Sequence, residues 1–256
     1  MKEPQANISY SIKGAGKPLL FLHGFLENSK MWNGIIPHFV NHDFLCISVD
    51  LPCHGNSRFD ADKCSMNHMA AQVDELLQNL EILEEITVIG HSMGGYVALE
   101  LNRLRSCEVI LLHSNFWADG SLKKTERDRV IEVVNKNKAL FIKEAIPNLF
   151  AAANKEKCLA DIQALVNEAI EIPENEIQAA TAGMRDREAF YKLNDDSTLH
   201  IIHGEFDPII STDKMKEEIV NFKGKHELIL LKGVGHMSIW ENESLLNKRL
   251  MSIISQ

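Results

Sequence analysis

Ile86-Thr87-Val88-Ile89-Gly90-His91-Ser92-Met93-Gly94-Gly95 is the stretch on which the fold of this chain turns. A β-branched run leads into a serine flanked by glycines, and apolar residues recur beyond it at helical spacing (Val97, Ala98, Leu101, Leu104). The pattern predicts a strand that bends sharply into a helix with Ser92 at the bend, its hydroxyl clear of the backbone: a nucleophile elbow. Glycine suits positions 90 and 94 because such a bend leaves no room for a Cβ on either side of a strained serine.

A serine hydroxyl is a weak nucleophile at neutral pH, so it needs a base in hydrogen-bond reach and a third group to orient that base. Downstream, Leu199-His200-Ile201-Ile202-His203-Gly204-Glu205-Phe206-Asp207-Pro208 reads as a buried strand running into an acid-bearing loop. Leu228-Ile229-Leu230-Leu231 runs into Gly233-Val234-Gly235-His236. Upstream, Leu19-Leu20-Phe21-Leu22 ends in the turn His23-Gly24-Phe25. Ser92, Asp207 and His236, in that order, are the candidate nucleophile, orienting acid and base. His23, His54, His91 and His203 read as loop-holding or core histidines. Asp119 is the second candidate for the acid, and Glu205 is expected to point away.

From about Leu19 to Glu241 the chain resembles the α/β-hydrolase superfamily, and the triad order is that of the family. Asp50-Leu51-Pro52-Cys53-His54-Gly55-Asn56-Ser57 is similar to the family's Asp-Leu-Pro-Gly-His-Gly-x-Ser block, and Trp32 is placed as in many members. The resemblance implies an oxyanion hole made by the backbone N–H groups of Met93 and Phe25. Cys53 departs from it, standing where the block has glycine, so either the turn tolerates a Cβ or the loop is shaped differently.

Along the chain, Asn7–Ile12 alternates as an edge strand and Phe44–Val49 is nearly all apolar, as in a parallel strand covered on both faces. Ser65 is a candidate N-cap for a helix with apolar positions at Met69, Val73, Leu76, Leu77 and Leu80. Strands alternating with helices imply an α/β, doubly wound, mostly parallel sheet. The alternation stops between residues 115 and 196, which are helix-patterned throughout. The expected organisation is a core of residues 1–114 and 197–256 with a helical cap, 115–196, whose Leu140, Phe141, Ile146, Leu149 and Phe150 present an apolar face to the core. The expected substrate wall combines Phe25, Leu26 and Met93 from the core with Phe116, Trp117 and Met184 from the cap. In the alternative, Arg185 or Arg187 reaches over the site to bind a carboxylate.

The 256 residues are 45% hydrophobic and 25% charged, as in ordinary globular proteins, with a net charge of −9 and acids and bases intermixed. That disfavours a nucleic-acid partner, whose phosphates need a basic face. No apolar run approaches the about 18 residues of a membrane span, and Met1–Asn7 lacks the apolar stretch of a signal peptide. The five cysteines have neither paired nor zinc-type spacing; Cys46 and Cys107, in or beside strands, read as small buried hydrophobes, and a reduced, cytoplasmic compartment is the default expectation. No cofactor or metal is called for, and no oligomeric state follows.

The expected function is hydrolysis of a small-to-medium carboxylic ester, or a thioester or amide, through an acyl-enzyme on Ser92, with a small molecule as substrate. Alternatives are carbon–carbon lyase or hydrolase chemistry of the menaquinone-pathway type, with the triad as base, and a non-catalytic ligand-binding receptor. Relatives with an aspartate nucleophile are excluded by the serine at 92.

Overall fold

The computed structural model describes residues 8–57, 59–60, 64–83, 85–194 and 197–255. Asn7 of the expected edge strand, the segment Met1–Asn7 and the expected boundary at Asp196 therefore lie outside the described residues. Among the described residues seven strands form one sheet in the order β1-β3-β2-β4-β5-β6-β7. They are β1 (Tyr10–Lys13), β2 (Lys17–Leu22), β3 (Phe44–Val49), β4 (Ile86–His91), β5 (Cys107–Leu112), β6 (Leu199–Gly204) and β7 (His226–Leu231). Of these seven strands β1 is antiparallel, paired with β3 at the edge, and the other pairings among them are parallel.

Strand periodicity divides the core into two layers. Leu20 and Leu22 of β2, with Ile47 and Val49 of β3, face a layer built with α2 (Met66–Asn79) and α3 (Met93–Leu104). Their neighbours Leu19, Phe21 and Cys46 face the other layer, which holds Trp32, α1 (Ile36–Val40) and α9 (Glu243–Ile254). Helices α7 (Thr212–Ile219) and α8 (Ser238–Glu241) follow β6 and β7.

The chain between β5 and β6 is helical, with α4 (Ser121–Ala145), α5 (Leu159–Ile170) and α6 (Glu174–Arg185). These helices share a third apolar cluster that reaches Leu26 and Met237 of the rest of the molecule. Ile146 and Phe150 are buried in it, whereas Leu140 is 51% exposed and does not belong to the expected apolar face. Helix α4 breaks at Asn137 (φ −159°, ψ 77°), whose Oδ1 accepts from Leu140 N–H at 3.1 Å. Asn137 thereby caps a second, shorter helix; Val134 before the break and Ile142 after it both face the shared cluster, and Leu140 lies off that stripe. Ser65 precedes α2 with extended backbone, but its hydroxyl bonds to Asn67 and His68 side chains instead of capping the helix.

Cys53 and Cys64 are joined in a disulfide, and Cys46, Cys107 and Cys158 are free and buried. Cys46 and Cys107 are thus the small buried groups expected of them, whereas the bridge was not legible in the spacing. The bridged pair is separated by 11 positions; only the fold of the loop before α2 brings them together, so the inference of a reduced compartment loses its basis. No helix among the described residues is long and apolar enough to cross a membrane.

Candidate active site

Four non-glycine residues with left-handed backbone follow the C-terminal ends of four adjacent parallel strands: Leu26 (φ 64°) after β2, Cys53 (φ 69°) after β3, Ser92 (φ 49°) after β4 and His113 (φ 50°) after β5. Such residues are uncommon, cost of order 1–3 kcal/mol each, and persist where the surroundings over-determine them. Their convergence marks the end of the sheet where open α/β folds carry ligand sites. Cys53 thus adopts the left-handed backbone that ordinarily favours glycine, with its side chain accommodated in the core.

Ser92 projects from the turn between β4 and α3. A Cβ at Gly90 would strike the Gly94 backbone, and one at Gly94 would strike the Leu22 and His23 carbonyls, so both glycines are required by close approach. Ser92 N–H donates to Leu112 O at 2.9 Å, and Ser114 Oγ donates to Ser92 O at 2.6 Å, pinning the bend to β5. Met93 follows at the first position of α3, where N–H groups have no intrahelical acceptor and the helix dipole favours negative charge.

Ser92 Oγ lies 2.9 Å from His236 Nε2, and His236 Nδ1 lies 2.7 Å from Asp207 Oδ2. The other oxygen of Asp207 accepts from the N–H groups of Ile209 and Ile210 at 2.9 and 3.0 Å. Burial opposes the charge of Asp207, but the His236 and His113 imidazoles beside it hold its carboxyl well below the usual carboxylate range. His113 is pushed down to about 3 by burial against the opposing pull of Asp207, so it is neutral; its Nδ1 accepts from Gly204 N–H at 3.2 Å and its Nε2 contacts Ser238 Oγ at 2.7 Å. Asp119, the second candidate acid, is bound instead to Arg127 and Arg187 at 3.1 and 2.8 Å. Glu205 is exposed and accepts from Gly233 N–H.

Two buried carboxylates without a sequence signal hold the loops in place. Glu241 accepts from Gly235 and Met237 N–H on either side of His236, and from Ala151 N–H and Asn154 Nδ2 of the segment between β5 and β6. Glu27 accepts from Gly24 N–H at 2.7 Å and lies 2.9 Å from His91 Nδ1. Three further histidines singled out in the sequence contact the backbone: His23 Nε2 accepts from Leu51 N–H, His54 contacts Pro52 O, and His203 contacts Ile210 O.

A cavity of about 260 Å³ opens on Ser92 and His236. Phe25, Leu26 and Met184 line it, as expected from sequence. Met93, Phe116 and Trp117 do not. Met93 is turned into the core, and Phe116, 1% exposed, packs its ring against Trp117 and Phe222, both at 5.3 Å between centroids. Their place is taken by Val130 and Phe141 of α4, Leu149, and Ile209 and Ile210 beside Asp207. The cationic candidates are likewise displaced. Arg185 pairs with Asp128 and Asp186 at the surface, and Arg187 is buried with its guanidinium 3.8 Å from the centre of the Tyr96 ring.

A family model described as the alpha/beta hydrolase fold matches residues 17–103. An uncharacterized protein of Mycobacterium tuberculosis is 36% identical over 92 residues, 36% of this chain and 26% of that protein, so the chain matches about a quarter of that relative's length. A Mycoplasma pneumoniae protein named putative esterase/lipase 2 is 26% identical over 85% of this chain and 81% of its own. Among solved structures, a thermophilic esterase from Thermogutta terrifontis superposes with a TM-score of 0.87 at 23% identity, covering 97% of this chain and 93% of that one. An esterase from Exiguobacterium antarcticum does so at 0.86 and 21% identity, covering 97% and 96%. With this sheet, this strand-to-helix turn and these likenesses, the chain has the alpha/beta hydrolase fold.

Proposed function

We propose that this protein is a serine hydrolase that cleaves a small-to-medium carboxylic ester through an acyl-enzyme on Ser92, with residues 115–196 acting as its cap. What carries the reading is the continuous hydrogen-bonded line from Asp207 through His236 to Ser92, opening on an apolar cavity. Similarity to proteins named as esterases supports the hydrolase class.

In the first half-reaction Ser92 Oγ bonds to the ester carbonyl carbon while its proton passes to His236 Nε2. The carbonyl oxygen takes up negative charge and accepts from the Met93 and Phe25 N–H groups. Collapse breaks the bond to the alkoxy oxygen, which leaves with the proton from His236. Water then attacks the acyl carbon, gives its proton to His236, and releases the acid as Ser92 regains its hydrogen. Asp207 keeps the proton of neutral His236 on Nδ1, so that Nε2 is free to accept, and balances the imidazolium formed in each half.

The test is kcat/KM for p-nitrophenyl esters from acetate to octanoate with the wild type, Ser92→Ala, His236→Ala and the double variant. Each single variant is expected to lose about 10³-fold or more, with the double variant hardly worse, because the residues act as a unit. Hydrolysis undiminished in Ser92→Ala overturns the reading.

A further inference from the structure

The wall of the Ser92 cavity is apolar over most of its extent, but Lys123 and Arg127 of α4 also belong to it. Their circumstances differ. Lys123 is half-exposed and pairs with Glu126 at 2.9 Å, an ordinary solvated contact one turn along the helix. Arg127 is mostly covered and sits in a charged trio around Asp119, whose side chain is buried.

Within that trio Arg187 is fully committed to the protein. Its Nη1 bonds to Asp119 Oδ1 at 2.8 Å and to Met184 O at 2.8 Å, its Nη2 bonds to Trp117 O at 3.0 Å, and its face lies on the Tyr96 ring. Arg127 reaches Asp119 Oδ2 through Nε alone, at 3.1 Å. Among the described residues its two terminal nitrogens have no other partner. Two guanidinium cations share one carboxylate, so the trio carries one positive charge in excess. Arg187 is the buried partner that neutralises Asp119, and the excess falls on Arg127, the member that lines the cavity. Glu27 is the carboxylate on the same wall, and it is already taken by Gly24 N–H and His91.

We propose that Arg127 is a specificity-determining residue that binds a free carboxylate on the substrate, so that the preferred ester is a short monoester of a dicarboxylic acid. This rests on the serine-hydrolase reading for the scissile bond, but not for the binding. A guanidinium offers paired N–H donors matched to carboxylate geometry, and an apolar wall strengthens the attraction by excluding water. The cavity volume of about 260 Å³ suits a small substrate spanning Ser92 and Arg127.

The experiment compares methyl hydrogen glutarate and methyl hydrogen adipate with methyl pentanoate and methyl hexanoate by proton release. It runs the wild type, Arg127→Gln, Arg127→Lys and Arg185→Ala, and adds calorimetric binding of methyl hydrogen glutarate to Ser92→Ala. The wild type is expected to prefer the acid esters by about tenfold in kcat/KM, mostly through KM. Arg127→Gln removes the preference, Arg127→Lys restores part of it, and Arg185→Ala keeps it. Binding to Ser92→Ala is expected to be lost in Ser92→Ala/Arg127→Gln. Equal rates for acid and neutral esters in the wild type overturn the proposal while leaving the hydrolase reading intact. So does a preference that survives Arg127→Gln. If no ester is cleaved, the hydrolase reading fails and the binding arm still decides the role of Arg127: glutarate monoester that binds equally with and without Arg127, or not at all, overturns it.

Discussion

Glu27 Oε2 lies 2.9 Å from His91 Nδ1, with both side chains buried, and this pair connects the two loops that flank Ser92. Glu27 also accepts from Gly24 N–H, beside the Phe25 amide, and His91 Nε2 donates to the carbonyl of His236 at 3.0 Å. Burial disfavours both charges, yet the charge of His91 holds Glu27 below its ordinary 4.5 and that of Glu27 raises His91 above its ordinary 6.5.

The pair therefore contributes to stability over a defined window. The Glu27 contribution is present above 4.5 and lost as pH falls through its depressed folded value; that of His91 is present below 6.5 and lost as pH rises through its raised one. Glu27→Gln is expected to destabilise by about 3 kcal/mol, with the gap from wild type widest between those two values and narrower on either side. Urea unfolding across pH measures it. A gap independent of pH would mean that the pair is not charged.

Asp207→Asn is expected to fold and to lose about 10⁴-fold in kcat. The asparagine oxygen can still accept from Ile209 and Ile210 N–H, which turns its NH₂ group toward His236 Nδ1. The imidazole must then accept at Nδ1 and carry its proton on Nε2, facing Ser92, where it cannot take the serine proton. Kinetics alongside circular dichroism test this; a wild-type rate would exclude Asp207 as the orienting acid.

The Cys53–Cys64 disulfide predicts three titratable thiols in the denatured, unreduced protein and five after reduction. Reduction is expected to cost about 3 kcal/mol, the chain-entropy value for a loop closed over 11 positions. Five thiols without reductant would show that the bridge is absent.

Met184 lines the cavity and Phe116 does not, so their substitutions separate substrate fit from stability. Met184→Ala should move the preferred neutral acyl chain longer by about two carbons, each buried CH₂ being worth about 0.8 kcal/mol. Phe116→Leu should cost about 1–2 kcal/mol in stability and leave the chain-length profile in place. A profile altered equally by both would contradict this assignment of the wall.

The sequence by itself was enough for the sheet, the elbow and the order Ser92, Asp207, His236. Each depends on local chemistry: β-branched runs for strands, close-packed glycines around a bend, and loops that follow strands whose C-terminal ends a parallel sheet must bring to one side. Tertiary structure alone decided what surrounds them. Phe116 and Leu140 are apolar like Phe141, yet the first packs into the core, the second faces solvent after the break at Asn137, and only Phe141 reaches the cavity. Among Arg127, Arg185 and Arg187 the residue type is the same and the roles diverge, because burial and partners set what a guanidinium does. Cys53 meets Cys64, and Glu241 grips the loop of His236, through contacts fixed by how loops fold back on one another. Periodicity reports which face of an element is apolar; it carries no record of which element that face will meet.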